Sequence, residues 1–132
     1  MKQINKQAAK VLEKISKESN TISNNKTFMD VHVEIIGKIE NIPGTGRLIA
    51  VTHYYEQNGD LVTDPEMVFV ESEGLKGEKA YYPISFEMGG FRFEESALIE
   101  NNTIKGVRPQ LQRQHATFAG QWMINIKNQQ GI

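Results

Sequence analysis

The stretch RLIAVTHYYEQNGDLVTDPEMVFV, residues 47–70, decides the fold. Its two halves are rich in β-branched and aromatic residues, which favour strands, and Asn58-Gly59 stands between them. Asn-Gly is the strongest two-residue signal for a hairpin, because both residues tolerate the positive φ of a type I′ turn. The sequence therefore predicts two antiparallel strands, residues 47–57 and about 60–70, joined by a two-residue turn.

Three further stretches predict strands that extend this hairpin into a sheet. Residues 28–36 alternate between apolar and polar side chains, as a strand with one buried face does. Residues 80–87 and the shorter stretch 91–100 predict two more strands, with Gly89-Gly90 suited to a tight turn between them. Pro43-Gly44 suits the centre of a type II turn. Residues 71–79, rich in glycine and charge, predict a solvated loop.

The two ends of the chain predict helices. Residues 3–19 place apolar side chains at helical spacing with lysines on the other face, and the polar run that follows favours a turn. Residues 109–130 carry a second apolar stripe around Trp122, with a first-turn proline before it and Gly131 as a C-terminal cap. We predict one α+β domain over residues 1–132. It consists of an N-terminal helix, an antiparallel sheet of four to five strands in meander or hairpin order, and a C-terminal helix packed on the sheet, with both helices on one face.

Composition excludes several classes of protein. The chain has 132 residues, 39% apolar and 23% charged, and no cysteine. These proportions exclude disordered and disulfide-scaffold proteins, and the lack of cysteine excludes thiolate metal sites. No apolar run approaches the ~20 residues that span a bilayer, so we expect no integral membrane protein and no membrane partner. The first residues are not followed by the apolar segment that a secretory signal contains. We therefore expect a cytoplasmic protein.

The net charge of -1 conceals a division along the chain. Residues 1–26 hold six lysines and two glutamates, residues 27–100 hold five basic and fourteen acidic residues, and residues 101–132 hold four basic residues and no acid. Basic ends are typical of nucleic-acid binding or of helices that dock on an acidic sheet. We favour docking, because neither end interleaves aromatic residues with its lysines and arginines as single-strand binders do.

The hairpin concentrates residue types that carry chemistry. A two-residue turn predicts the pairs Gln57–Asp60, Tyr55–Val62, His53–Asp64 and Val51–Glu66, all projecting from one face. His53 would then lie ~5 Å from Asp64 and ~7–8 Å from Glu66. Pro65 has no N–H to donate to a neighbouring strand. A bulge there would shift every later residue by one face.

An imidazole among carboxylates suits three kinds of chemistry. A carboxylate can orient His53 as a general base. His53, Asp64 and Glu66 are also ligand types that divalent metals use. The same groups can bind a cationic or amide-bearing partner without any reaction. We favour a binding or structural role, because a histidine opposite an aspartate is more often a satisfied polar pair than a catalytic one.

Two parts of the chain resemble an uncharacterised domain family. The first is the hairpin, with HYYEQNGDL (residues 53–61) and DPEM (residues 64–67). The second is the C-terminal segment, with FAGQW (residues 118–122), Asn125-Ile126 and Gln130-Gly131. That family occurs in short bacterial proteins and in proteins of phages, plasmids and conjugative elements. It has no assigned activity to carry over. The resemblance implies a mobile-element setting and a recurring unit made of His53, Glu56, Asn58, Asp60, Asp64 and Glu66.

We therefore expect a small, non-enzymatic accessory protein that binds a macromolecular partner, a protein rather than a nucleic acid, through the 53–66 hairpin. The candidate functional residues are His53, Tyr54, Glu56, Asn58, Asp60, Asp64 and Glu66. One alternative is a metal-dependent hydrolase or nuclease that uses His53, Asp60, Asp64 and Glu66. Another is a nucleic-acid binder that uses the lysine face of the first helix with Arg108, Arg113 and Lys127. No cofactor is predicted, and binding of a divalent metal is kept as an alternative. For His115, at the edge of the last apolar stripe, we expect packing or capping.

Overall fold

The computed structural model describes residues 1–42, 44 and 46–132. In these residues, two helices frame eight strands in the order of the chain: α1 (Lys6–Ile15), β1 (Asn20–Ile22), β2 (Val31–Ile39), β3 (Gly46–Gln57), β4 (Asp60–Glu73), β5 (Lys79–Met88), β6 (Arg92–Glu95), β7 (Ala97–Glu100), β8 (Thr103–Val107) and α2 (Pro109–Gln130). Neither helix is long and apolar enough to cross a membrane.

Strands β1 to β6 form one antiparallel sheet in which each strand pairs with its neighbour in the sequence. Strands β7 and β8 form a separate two-stranded hairpin. The predicted α+β architecture, a helix, an antiparallel meander and a second helix, is therefore confirmed. The main sheet is larger than the four to five strands expected.

Both helices pack on one face of the main sheet, because their apolar stripes share a core with its strands. Trp122 and Leu12 meet Val51, Phe69 and Tyr81 there, and all five side chains are buried. Local chemistry supports both helices. The Asn5 side chain accepts a hydrogen bond from the Ala8 N–H at the start of α1. Pro109 opens α2, and Gly131 ends it with a left-handed φ of 67°.

A second, smaller core lies on the opposite face of the sheet, under the β7–β8 hairpin. Val70 and Ile84 of the sheet pack there with Ala97 of β7 and Ile39 of β2. The turn between β3 and β4 lies at the far end of the sheet from this core, since Arg47 of β3 pairs with Glu71 while Gln57 pairs with Asp60 beside the turn. The face opposite the helices is therefore apolar near the β7–β8 hairpin and polar toward the β3–β4 turn.

The structure corrects several predicted details. The first helix spans Lys6–Ile15 rather than residues 3–19, and β4 continues to Glu73 through part of the predicted loop. The predicted strand 91–100 is divided at Ser96, where the chain leaves the main sheet for the second hairpin. Strand β1 occupies a segment for which the sequence predicted a turn. The predicted Pro43-Gly44 turn includes Pro43, which is outside the described residues.

Apolar packing, rather than ion pairs of lysine or arginine, holds the helices to the sheet. Among the residues described, no lysine or arginine of either helix forms an ion pair with a sheet carboxylate. The docking expected from the charge division is therefore apolar in origin. A few buried hydrogen bonds supplement it, among them that of the Gln112 side-chain amide to the Pro83 carbonyl at 3.2 Å.

Candidate functional site

The turn of the β3–β4 hairpin has the predicted conformation. Asn58 has a φ of 53° and Gly59 a φ of 85°, the two positive values that a type I′ turn requires. Gln57 pairs with Asp60, and Tyr55 pairs with Val62, as predicted. The Asn-Gly signal therefore determines both the turn and the register next to it.

The register changes farther from the turn, and two predicted pairs are wrong. Tyr54 pairs with Thr63, whereas Thr52 pairs with Glu66. Two residues of β4, Asp64 and Pro65, thus stand opposite the single residue His53 of β3. A bulge is the expected result at this point, because Pro65 has no N–H to donate across the ladder. His53 is consequently not paired with Asp64.

The bulge sends His53 and Glu66 to opposite faces of the sheet. The His53 ring contacts the edge of Trp122 in the core beneath α2, with ring centroids 5.4 Å apart. The Glu66 carboxylate accepts a hydrogen bond of 3.0 Å from the Thr52 hydroxyl on the other face. His53, Asp64 and Glu66 therefore do not converge. In the described part of the chain, no group of three or more metal-ligating side chains is placed to hold a metal.

His53 is a buried, neutral side chain. It is 4% exposed, and its Nε2 atom has no hydrogen-bond partner. Burial lowers the pKa of His53, which the negative charge of Asp64 opposes without overcoming. The imidazole is enclosed by the core rather than presented to a substrate. The general-base role considered from the sequence has no support in this arrangement.

The other predicted residues lie outside the core. The Tyr54 ring contacts His32 on β2, with centroids 5.1 Å apart. Glu56, Asn58 and Asp60 surround the turn and are exposed, and Asp64 is partly exposed at the bulge. The hairpin thus presents these side chains to solvent rather than to a shared cavity.

Strand register places Glu66 in a larger acidic surface. Glu66 stands opposite Glu87 on β5, and Thr52 beside it stands opposite His32 on β2. Alternate residues of a strand share a face, which extends the surface along each strand. We call this surface the acidic face; it comprises His32, Glu34, Tyr54, Glu56, Leu61, Glu66, Glu87, Phe93 and Glu95.

The carboxylates of the acidic face repel one another. Burial raises the pKa of Glu66, and the charges of Glu87 and Glu34 raise it further, while the hydrogen bond from Thr52 lowers it. Among the described residues, no lysine, arginine or histidine forms an ion pair with Glu34, Glu56, Glu66, Glu87 or Glu95. This surface therefore has the electrostatic properties of a site for positive charge.

A serine–histidine–glutamate arrangement is present that the sequence did not predict. His115 Nδ1 lies 3.0 Å from the Ser96 hydroxyl, and His115 Nε2 lies 3.0 Å from the Glu94 carboxylate. The hydrogen bond to His115 holds the pKa of Glu94 below its usual range, and Arg92 adds to this. Ser96 is completely buried, so its hydroxyl has no access to a substrate. The three residues fasten α2 to the β6–β7 junction, which fits the packing role expected of His115.

A buried ion pair was also missed. Two Arg47 nitrogens each donate to a separate oxygen of Glu71 at 2.7 Å, and the Tyr81 hydroxyl donates to Glu71 at 2.7 Å. Burial acts to raise the pKa of Glu71, but these hydrogen bonds outweigh it and lower that pKa. Arg47 also donates to the Ser16 carbonyl after α1 at 3.0 Å. The cluster ties α1 to the sheet and lies away from the acidic face.

Comparison with known protein families places the chain in one of them. A family model described as a domain of unknown function, DUF6908, matches residues 1–132. No curated protein matches the chain. No solved structure matches it either.

Proposed function

The chain belongs to the DUF6908 family, and we propose that it is a small non-enzymatic accessory protein that binds a basic segment of a partner protein. The binding surface is the acidic face, together with the 53–66 hairpin that forms one end of it. One observation carries the proposal: five carboxylates share a sheet face on which no described residue supplies a paired cation.

The lack of positive charge has its origin in the sequence. Residues 48–75 contain neither lysine nor arginine, although they contain six acidic residues. These residues make up nearly all of β3 and β4, the two central strands. Arg47 at the start of β3 pairs with Glu71 of β4, but neither strand supplies a paired cation for Glu56 or Glu66 among the described residues. An external cation would therefore be attracted to these two carboxylates.

Apolar groups on the same face favour a protein partner over free cations. Leu61 is 70% exposed and Phe93 is 65% exposed, and both lie beside carboxylates, Leu61 opposite Glu56 and Phe93 opposite Glu87. Exposed aromatic rings attract lysine and arginine side chains through the negative potential of the ring face. A peptide that alternates basic and apolar side chains matches this combination.

Charge argues against a nucleic acid at this surface. Nucleic-acid affinity depends on lysine and arginine contacts to phosphate, and the acidic face would repel phosphate instead. Catalysis is not part of the proposal, because His53 and Ser96 are buried. The location of the protein in the cytoplasm and its origin in a mobile element are further expectations that accompany the proposal.

A titration with defined peptides tests the proposal. The ¹⁵N-labelled chain is titrated with a peptide that alternates lysine and leucine, and with a counterpart that carries glutamate in place of lysine. We expect chemical-shift changes on the acidic face for the lysine peptide alone, and weaker binding as salt increases. Shift changes confined to the helices, or no binding of the lysine peptide at millimolar concentration, would contradict the proposal.

Paired variants locate the binding surface. The variant E56Q/E87Q should weaken peptide binding about fivefold, since each exposed ion pair contributes about 0.2–1 kcal/mol. The matched control E13Q/E100Q removes two exposed carboxylates outside the acidic face and should leave binding unchanged. Equal losses in both variants would indicate a response to net charge rather than a site.

Photo-crosslinking then identifies the natural partner. A photoreactive residue replaces Leu61 on the acidic face or Leu75 in the β4–β5 loop, two highly exposed leucines. We expect the position 61 probe, and not the position 75 probe, to form an adduct with one basic protein of the host. Identical adducts from both positions would argue against a partner specific to this face.

A further inference from the structure

A groove between the two helices carries a second inference, on the side of the molecule away from the acidic face. Its volume is about 450 Å³, which lies within the range of small-molecule sites. Lys10, Val11 and Lys14 of α1 line one wall, and Ile124 and Lys127 of α2, with Ile132, line the other. The groove thus combines a charged rim with an apolar floor.

Every charged side chain of the rim is a lysine, and Gln7 and Asn128 complete the rim as neutral polar residues. No aspartate or glutamate side chain lines the groove, and none of its three lysines forms an ion pair with a described residue. Lys10 and Lys14 are one helical turn apart, a spacing at which like charges repel. An anion in the groove would relieve that repulsion, so the rim is complementary to negative charge.

The floor is apolar and partly open. Val11 belongs to the main core, and Ile124 and Ile132 pack against that core while staying partly exposed. A fully hydrated anion such as inorganic phosphate would gain nothing from these side chains. A ligand with an apolar body would cover them and so remove apolar surface from water.

We propose that this groove binds an amphiphilic anion: an acyl chain that lies along Val11, Ile124 and Ile132 and ends in a carboxylate or phosphate held by Lys10, Lys14 and Lys127. Single-stranded nucleic acid fits less well, because no aromatic side chain lines the groove to stack on a base. This inference is independent of the proposed function, since it uses the opposite face of the molecule.

Titration with four probes tests the chemistry of the ligand. Decanoate should bind with a low-millimolar dissociation constant, as expected for a ligand of its size, and should shift the amide signals of α1 and α2. Decanol, which lacks the charge, and inorganic phosphate, which lacks the chain, should bind more weakly. The fourth probe is a single-stranded oligonucleotide. Tighter binding of the oligonucleotide than of decanoate, or no decanoate binding at millimolar concentration, would overturn the proposal.

Variants on one helix place the ligand. We expect K10Q/K14Q to weaken decanoate binding about fivefold, the loss expected for two exposed ion pairs. The matched control K6Q/K17Q removes the same charge from exposed lysines that do not line the groove, and should change binding less than twofold. All four lysines are on the surface, so both variants should fold. Equal losses in the two variants would show non-specific attraction and overturn the site.

Discussion

His53 places a polar nitrogen in an apolar core, and this makes the protein sensitive to acid. Its Nε2 atom has no hydrogen-bond partner, and a buried polar group without a partner costs about 1–3 kcal/mol. Burial lowers the pKa of His53 below the ordinary value of 6.5. The unfolded chain therefore binds a proton at a higher pH than the folded chain does. Acidification through 6.5 and below consequently favours unfolding.

The substitution His53→Leu should remove this part of the pH dependence. At pH 8 the free energy of unfolding should change by no more than about 1 kcal/mol, because losing the contact with Trp122 offsets removing the unpaired nitrogen. Urea unfolding at several pH values measures the effect. Between pH 7 and pH 5 the wild type should lose more stability than the variant. Parallel pH profiles for the two proteins would show that His53 does not titrate as described.

The Arg47–Glu71 pair should be a major contributor to stability. The substitution Arg47→Met leaves the Glu71 carboxylate buried without its main cation, and breaking a buried pair in this way costs about 3–5 kcal/mol. The Tyr81 hydroxyl and the more distant Lys79 remain near Glu71, so we expect the lower end of this range. Thermal and urea unfolding both measure it.

Lys26→Met is the matched control for this prediction. Lys26 pairs with Asp30 at 3.7 Å on the surface, and such pairs contribute about 0–1 kcal/mol. A similar small loss in both variants would mean that the Arg47–Glu71 pair is no stronger than a surface pair.

At the scale of single residues, the sequence predicted which strand a residue belongs to better than it predicted which residue it contacts. The strands of the hairpin and its turn were predicted correctly, but the pairing of His53 with Asp64 assumed an unbroken register up to Pro65. Local patterns cannot show how the two strands absorb a proline in a central strand. The contacts of His115 with Ser96 and Glu94 span 19 and 21 residues, and no local spacing encodes them.

At the scale of elements, the β3–β4 turn depends on backbone conformation rather than on contacts. Gly59 has a φ of 85°, and an added Cβ would meet no atom within 4 Å. Gly59→Ala should therefore destabilise the protein by about 1–2 kcal/mol, the cost of a left-handed conformation for a residue with a side chain. Urea unfolding measures this loss.

Gly106 in β8 provides the control for the turn. A Cβ there also meets no atom within 4 Å, and its φ is not in the left-handed region. Gly106→Ala should be neutral or stabilise by up to about 1 kcal/mol, because alanine restricts the unfolded chain. Equal destabilisation by the two alanines would argue against the type I′ turn.

Elements with a strong internal pattern were predicted, and short ones were not. The two helices, the four strands β2 to β5 and the Asn-Gly turn follow from periodicity and turn chemistry. Strand β1 has three residues in a polar segment, and β8 has five residues with a glycine near its end. Strands of this length form because a neighbouring strand offers unpaired backbone groups, so their own residues carry little signal.

At the scale of the whole molecule, the charge division of the sequence becomes a division between two surfaces. The basic helices pack on one face of the sheet through apolar contacts, and five carboxylates of β2 to β6, those of the acidic face, lie on the opposite face. The helices do not neutralise the sheet, so each surface keeps its charge for a ligand. The net charge of -1 is therefore low because surfaces of opposite sign offset each other, and not because the surface is uniformly neutral.

This separation predicts that the two proposed sites act independently. A helix is about 10–12 Å across, so the outer groove lies farther from the acidic face than the screening length of about 8 Å at physiological salt. At that salt, E56Q/E87Q should weaken only the lysine–leucine peptide, and K10Q/K14Q should weaken only decanoate. Each variant should leave the dissociation constant of the other ligand within about twofold, as expected when the coupling free energy is near zero. If one pair of substitutions weakened both ligands, the two faces would share a site or be linked by a conformational change, and the division of the molecule into two binding surfaces would be wrong.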